Sequence, residues 1–267
     1  MITTLIHTRN EEVNIKDCIQ SAKLLSENII VIDMESTDKT VEIAKSMGAE
    51  IKTFKYSKYV EPARAFGISQ AKTDWVLILD ADERITQEIA QEINEILAKT
   101  MSTTDVGEKN NLISHYRISR KNIFGRKKWL KHGGWWPDYQ IRLFNKRYLK
   151  DWSTRIHSTP VFEGKCSYLS NPLIHYFHGN LEEMVNKTMI YEEIEAELLF
   201  QARRPVNTLI FFRKFFGELF RRLILKMGFL DGKYGVIESL YQAYSKTITY
   251  IFLYEKYENE KKKSRTI

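Results

Sequence analysis

Residues 1–100 predict an α/β fold, a doubly wound sheet of parallel strands with helices on both faces. Three observations carry that prediction. Strand-like and helix-like stretches alternate, with connections long enough for helical crossovers. The strand-like stretches are unbroken apolar runs, as expected where helices cover both sheet faces. The fourth run, Asp74-Trp-Val-Leu-Ile-Leu, stops abruptly at Asp80-Ala81-Asp82-Glu83, and open α/β sheets bind ligands at the carboxyl ends of their strands.

Each element has a local reason. Ile2 to His7 is a short apolar run. From Glu11 to Ser26, Val13, Ile15, Cys18, Ile19, Ala22 and Leu25 recur at helical spacing. Asn28 to Asp33 is a second strand, with Ile-Ile-Val-Ile at its centre. Ser36-Thr37 offers an N-cap for a helix to Met47, ended by Gly48. Glu50 to Lys55 is a third, weaker strand. Pro62 opens a helix through Ala71, and Thr86 caps another to Lys99. Residues 101–113 form a polar loop. Ile113 to Arg120, Gln140 to Asn145 and Val161 to Leu169 are candidate strands, and from Leu181 onward the chain reads helical. Glu258 to Arg265 is a charge run, expected to fray.

The chain has 267 residues, 43% of them hydrophobic, which is enough for a real core. A net charge of +7 favours an anionic partner (nucleic acid, membrane surface or phosphorylated substrate) without choosing among them. Cys18 and Cys166 lie far apart and in no zinc-binding spacing. They read as reduced thiols of a cytoplasmic protein. The start, Met-Ile-Thr-Thr-Leu-Ile, has neither the basic nor the long apolar region of a signal peptide. No apolar stretch reaches the ~18 residues of a membrane span.

Three acidic side chains at one strand tip repel each other and cost solvation energy. A fold tolerates that most easily around a cation, and carboxylate oxygens suit Mg2+ or Mn2+ shared with substrate phosphates. The tip therefore points to a metal-bridged nucleoside diphosphate. Other polar segments also fall at strand ends, in chain order: Thr8-Arg9-Asn10-Glu11, then Asp33, then Pro137-Asp138 with Arg142-Leu143-Phe144 beyond it. Each alone has an ordinary explanation. Thr8 and Asn10 suit a helix cap, Asp33 a turn, Asp138 a solvated loop. Their weight lies in occurring together.

Thr8-Arg-Asn-Glu-Glu, Val31-Ile-Asp-Met-Glu-Ser-Thr-Asp-Lys-Thr40, Ala63-Arg-Ala-Phe-Gly-Ile and Leu79-Asp-Ala-Asp-Glu83 resemble the family 2 glycosyltransferases. Trp136-Pro-Asp-Tyr-Gln-Ile-Arg-Leu-Phe144, Arg155-Ile-His157, His175-Tyr-Phe-His178 and Gly228-Phe-Leu-Asp-Gly232 are most similar to one branch, the β-1,4-glucosyltransferases of the lipopolysaccharide inner core. The resemblance implies the GT-A fold, a Rossmann-like mixed sheet with a C-terminal helical extension. It divides the chain into a catalytic domain, 1–180, and a helical region, 181–267. Within the catalytic domain, 1–112 is the nucleotide-sugar half and 113–180 the acceptor half.

The roles implied follow the matching residues. Thr8, Asn10 and Glu11 line the nucleotide pocket. Asp33 contacts the uracil or ribose, and Asp80 faces ribose and metal. Asp82 is the main ligand of Mg2+ or Mn2+, with His157 as a third ligand or diphosphate contact, or else a structural histidine. Asp138 is the general base. The activity implied is inverting transfer of a hexose, glucose foremost, from a UDP-sugar to a glycan or glycolipid acceptor. Two departures stand out: Met34 follows Asp33 where relatives often carry Asp or Ser, and Ser158 follows His157 where they often carry Glu.

The chemistry suits these residue types. A divalent ion offsets charge building on a departing diphosphate, and a carboxylate on the opposite face takes the acceptor hydroxyl's proton. Trp135, Trp136 and Tyr139 flank Asp138; they are expected to stack on sugar rings and raise its pKa by desolvation, or else to be core. Trp135, Trp136, Arg142 and Lys128 are assigned to the acceptor. The basic run from Arg117 to Lys131 reads as a clamp for an anionic acceptor, since no RNA-binding motif accompanies it. His132, His175 and His178 are taken as structural, and Glu83 and Arg84 as turn or ion-pair residues.

From Thr208 to Lys226, adjacent polar pairs recur every four residues opposite Leu209, Phe212, Phe216, Leu219, Phe220 and Leu223. Such a helix suits a membrane interface, which would hold the protein on the inner face of the cytoplasmic membrane. Packing against the catalytic domain or a dimer partner is the alternative. Two other functions compete. A sugar nucleotidyltransferase needs a Gly-rich loop after strand one, and no glycine precedes Gly48. A non-catalytic RNA- or membrane-binding protein would use only the basic surface.

Overall fold

Alternate residues of each central strand sort into two separate apolar clusters, as a sheet covered on both faces requires. The computed structural model describes residues 1–102, 112–155, 158–178 and 181–265; the expected polar loop lies largely outside them. Strand β1 (Ile2–Thr8) is flanked by β2 (Ile29–Asp33) and β4 (Trp75–Asp80), and β3 (Glu50–Thr53) pairs with β2, all parallel. Ile6, Val31, Leu77 and Leu79 face one cluster, with Ile15 and Ile19 of α1 (Ile15–Ala22), Ala44 of α2 (Thr40–Ser46) and Ile89 and Ile93 of α4 (Gln87–Ser102). Leu5, Ile30, Ile32, Val76 and Ile78 face the other, with Ala63 and Ile68 of α3 (Glu61–Gln70).

The sheet becomes mixed beyond β4. Strand β8 (Asp138–Asn145) pairs antiparallel with β4 and with β6 (Ile113–Phe124). Strand β11 (Lys165–Tyr168) joins β6 in parallel, and β12 (Leu173–Phe177) pairs antiparallel with the two-residue β5 (Glu83–Arg84). Among the described residues the short strands β9 (Leu149–Asp151) and β10 (Val161–Phe162) pair only with each other. This is the mixed α/β sheet of the GT-A fold, followed by a C-terminal helical region.

Some local expectations change. The α2 helix begins at Thr40, whose backbone N–H is held by Asp38 Oδ1 at 3.0 Å. Ser36 and Thr37 are not its cap, because they bond the loop after β1. The candidate strand 161–169 is interrupted by a turn at Gly164, where φ is +96° and a Cβ would meet Leu112 O at 2.8 Å.

The chain divides into two compact units, residues 1–121 with 138–175, and residues 122–137 with 176–267. In the second, β7 (Lys128–Trp129) pairs with Ile123 and Phe124. Helices α5 (Leu181–Gln201) and α6 (Thr208–Phe220) both pack on α7 (Gly232–Arg265). The charge run expected to fray continues α7 to Arg265. The amphipathic segment is not one helix to Lys226: a π-turn, Arg221–Leu225, follows α6 and shifts the stripe. At Gly235 a Cβ would lie 1.9 Å from Gly228 O, so this crossing accepts no side chain. Among the described residues no helix is long and apolar enough to cross a membrane.

Candidate functional site

The carboxyl ends of β1, β2 and β4 bring the predicted nucleotide residues together. Thr8 stands opposite Asp33 in the β1–β2 register, and His7 opposite Asp80 in the β1–β4 register. Thr8 and Asp33 are buried, at 2% and 3% exposure. Asp33 Oδ2 accepts from Ser36 N at 3.1 Å. Thr8 Oγ1 and Asp33 Oδ1 are buried without a hydrogen-bond partner in the protein. Buried polar atoms are normally satisfied, so these two would be met by an ordered water or a bound polar ligand.

Asn10 and Glu11 do something the sequence did not reveal. Asn10 adopts φ +54°, its N–H donates to Ser36 Oγ at 2.9 Å, and its Oδ1 accepts from Thr37 N at 2.8 Å. Glu11 N donates to Thr40 Oγ1 at 2.8 Å, and Glu11 Oε2 accepts from Asn14 Nδ2 at 2.6 Å. Glu12 Oε2 accepts from Lys39 N at 3.0 Å. The two loops at the pocket edge are thus stapled to each other. Nearby, the Arg9 guanidinium stacks 3.7 Å from the Tyr56 ring centroid.

The acidic tip is threaded by arginines. Arg64 Nη2 donates to both oxygens of Asp80, at 3.1 and 3.2 Å. Arg142 Nη2 donates to Asp80 Oδ2 and to Glu83 Oε1, the latter at 2.6 Å. Arg120 Nη1 lies 3.3 Å from Glu83 Oε1, while its Nε and Nη2 reach Asp138 Oδ2 at 2.8 and 2.6 Å. A continuous chain therefore runs Arg64–Asp80–Arg142–Glu83–Arg120–Asp138. Glu83 is fully buried at its centre, and its Oε2 accepts the Asp80 N–H at 3.0 Å. Arg84 pins the turn from beneath, donating to Ala81 O at 2.8 Å, Glu83 O at 2.9 Å and Asn14 O at 3.0 Å.

Charge and burial set the protonation states. Asp80 is held well below the ordinary carboxylate range by Arg142 and Arg64, which overcome its desolvation. His7 is pushed down to about 3, chiefly by burial and then by Arg64, so it is a neutral imidazole beside the anion. Burial raises the Cys18 thiol, which makes it an inert core group.

These contacts correct several expected roles. Arg142 is 2% exposed and spends its guanidinium on Asp80 and Glu83, so it organises the acidic tip and does not meet an acceptor. Asp138 meets Arg120 on one oxygen and Gln140 Nε2 at 2.8 Å on the other, so an ion pair stands beside the aromatic neighbours expected to desolvate it. His175, expected to be structural, places Nε2 3.5 Å from Asp82 Oδ2. Its signal was topological: β12 sets His175 opposite Glu83, which no local pattern announces. His157 lies outside the described residues.

Asp82 and His175 are a carboxylate and an imidazole of the kind Mn2+ accepts, and the Asp82 carboxylate suits Mg2+ equally. Asp80, with both oxygens on guanidinium groups, is a support for that turn. The donor set at the tip therefore fits a divalent ion through Asp82. Among the described residues no group of three or more His, Cys, Asp or Glu side chains is arranged to hold a metal ion.

In the second unit, Trp135 is half-buried, its ring 4.7 Å from that of Phe177 and beneath the Arg222 guanidinium, so part of its surface is spent on packing. Trp136 stays 36% exposed, edge-on to Trp129, and Lys128 is exposed on β7. His132 is structural as expected, bound through N and Nδ1 to Asp231 at 2.7 and 3.0 Å.

The model of the Glycosyl transferase family 2 matches residues 3–153, more than half of the chain. The protein belongs to glycosyltransferase family 2. An uncharacterized glycosyltransferase of Rickettsia typhi is 29% identical over 255 residues, covering 92% of this chain and 84% of its own. One from Rickettsia bellii is also 29% identical, covering 92% and 83%. Among solved structures, glucosyl-3-phosphoglycerate synthase of Mycobacterium tuberculosis covers 77% of this chain and 81% of its own at 15% identity and TM-score 0.46. Staphylococcus aureus TarS 1-349 covers 97% and 91% at 14% identity and TM-score 0.44. As a family 2 glycosyltransferase the chain is an enzyme of sugar transfer, and the strand-end constellation is its candidate active site.

Proposed function

We propose that this family 2 glycosyltransferase moves a hexose, glucose foremost, from a UDP-sugar to a saccharide acceptor with inversion. The observation that carries the reading is the ion chain joining Asp80 to Asp138. It holds the acidic tip and the candidate base in one fixed constellation on β4, β5, β6 and β8.

The buried, unpartnered Thr8 Oγ1 and Asp33 Oδ1 are the groups that would hydrogen-bond the nucleoside. Asp82, with His175 beside it and His157 as a further candidate, would hold Mg2+ or Mn2+, which offsets charge on the leaving diphosphate. Asp138 takes the proton of the attacking hydroxyl. Each carboxylate oxygen has two lone pairs, and Oδ1 accepts from Gln140 Nε2 at 2.8 Å. Arg120 fixes the direction in which that carboxylate points.

The acceptor we favour is an anionic, lipid-linked saccharide such as the lipopolysaccharide inner core. The branch-specific motifs, the exposed Lys128 and the exposed Trp136 support this. Lys128 and Trp136 would meet the acceptor. On α6, Leu209, Phe212, Phe216 and Phe220 are 53–74% exposed, which supports a peripheral position on the cytoplasmic face of the membrane. Burial of that face in a homodimer is the competing arrangement.

The test is a panel of sugar nucleotides with Mn2+ or Mg2+, read as nucleoside diphosphate release with and without core oligosaccharide. Transfer that needs the ion and disappears in Asp138→Asn supports the reading. Full transfer by Asp138→Asn removes it.

A further inference from the structure

The helical unit contains a cleft whose lining shares no residue with the strand-end site. It encloses about 690 Å³ and is lined by Phe124, Met184, Val185, Ile237, Leu240 and Tyr244 among others. Packed interiors leave few voids larger than a water, whereas ligand clefts run to several hundred Å³ and are mostly apolar. Ile237, Leu240 and Tyr244 sit three and four residues apart on α7, so they share one face. They stay 46%, 44% and 37% exposed, and Ile251, two turns on, is 38% exposed. Val185 and Met189 make the matching stripe on α5, with Met189 41% exposed. These exposed apolar side chains stand on the two helices that line the cleft.

Its polar groups are few: one lysine, one histidine and the hydroxyls of Tyr234, Tyr241 and Tyr244. Lys127 lines the cleft, and the exposed Arg126 and Lys128 flank it in the chain. His178 also lines it, but its Nε2 faces the buried Glu238 carboxylate at 3.6 Å. The lysine is thus the cation offered to an occupant. A mostly apolar cleft with a lysine in its wall suits a hydrocarbon chain carrying an anionic head.

We propose that the α5–α7 cleft binds a single hydrocarbon chain of an anionic membrane lipid, its phosphate paired with Lys127. The site stands independently of the transferase reading. A second copy of this chain would have to insert a side-chain ridge into the slot, and that arrangement is an outcome the test detects.

The experiment uses the full-length protein and monomeric dodecyl phosphate below its micelle concentration, by isothermal titration calorimetry. One-to-one binding is expected, weakening roughly fourfold for each methylene removed from the chain. Val185→Trp, which fills the cleft, should weaken it at least about tenfold while circular dichroism stays native, a difference within reach of a few lost methylene contacts. Lys127→Ala should weaken dodecyl phosphate but leave dodecanol unchanged. Absence of one-to-one binding overturns the proposal. So does undiminished binding by a folded Val185→Trp. A dimer in sedimentation that Leu240→Asp dissociates would also overturn it, by assigning the cleft to a second copy.

Discussion

Arg120 and Asp138 face each other across the β6–β8 ladder and share two charge-assisted hydrogen bonds, at 2.8 and 2.6 Å. The same guanidinium reaches Glu83 at 3.3 Å. The candidate base is therefore anchored to the acidic turn and not suspended from a loop.

Asp138→Asn should bind donor normally and lose about 10²–10⁴-fold in kcat, the usual worth of a positioned base. Arg120→Met should lower kcat less and move the pH profile, because it frees the carboxylate's orientation without removing it. Stopped-flow donor binding alongside steady-state transfer separates the two.

Asp82→Ala should abolish tight Mn2+ binding, measured by electron paramagnetic resonance of the free ion. His175→Ala should weaken it by about 10–100-fold, the range for a group that touches and orients a ligand. Unchanged Mn2+ affinity in both would mean that the tip is a purely structural ion cluster.

Arg142→Met should destabilise the fold by about 3 kcal/mol in urea unfolding, because the buried Glu83 carboxylate loses its 2.6 Å guanidinium partner and retains the 3.3 Å contact to Arg120. The double variant Arg142→Met with Glu83→Gln should recover part of that loss.

His7 predicts an acid-side slope. Its pKa is lowered to about 3 in the fold, below the unfolded value near 6.5. The unfolded chain therefore binds the extra proton between those limits. Stability from this residue is complete above pH ~6.5 and falls by about 1.4 kcal/mol per unit as pH drops toward 3. Denaturant midpoints measured from pH 7 to 4 should show a shallower slope in His7→Gln.

What was legible in the sequence was what periodicity and punctuation encode. The parallel strands, the acid-terminated β4 and the Pro62 helix start all stand where apolar runs and caps put them. The candidate residues Thr8, Asp33, Asp80 and Asp138 gather because strand ends gather. Hidden were the partnerships set by register. Arg142 looked like an exposed acceptor contact because its neighbours, Ile141 and Leu143, say nothing about which face it occupies. Only the pairing of β8 with β4 and β6 turns it inward onto Asp80. His175 was missed for the same reason. The π-turn after α6 was likewise unreadable, since Arg221-Arg222 continue the helical charge spacing through it.

The hydrogen bonds between Asn10 and Ser36-Thr37 have a thermodynamic consequence. Loops that freeze only around a ligand show large unfavourable entropies of association. Here that ordering is completed when the chain folds, so calorimetry of nucleotide capture should register a small conformational entropy term, and backbone amide exchange in these loops should slow little on complex formation.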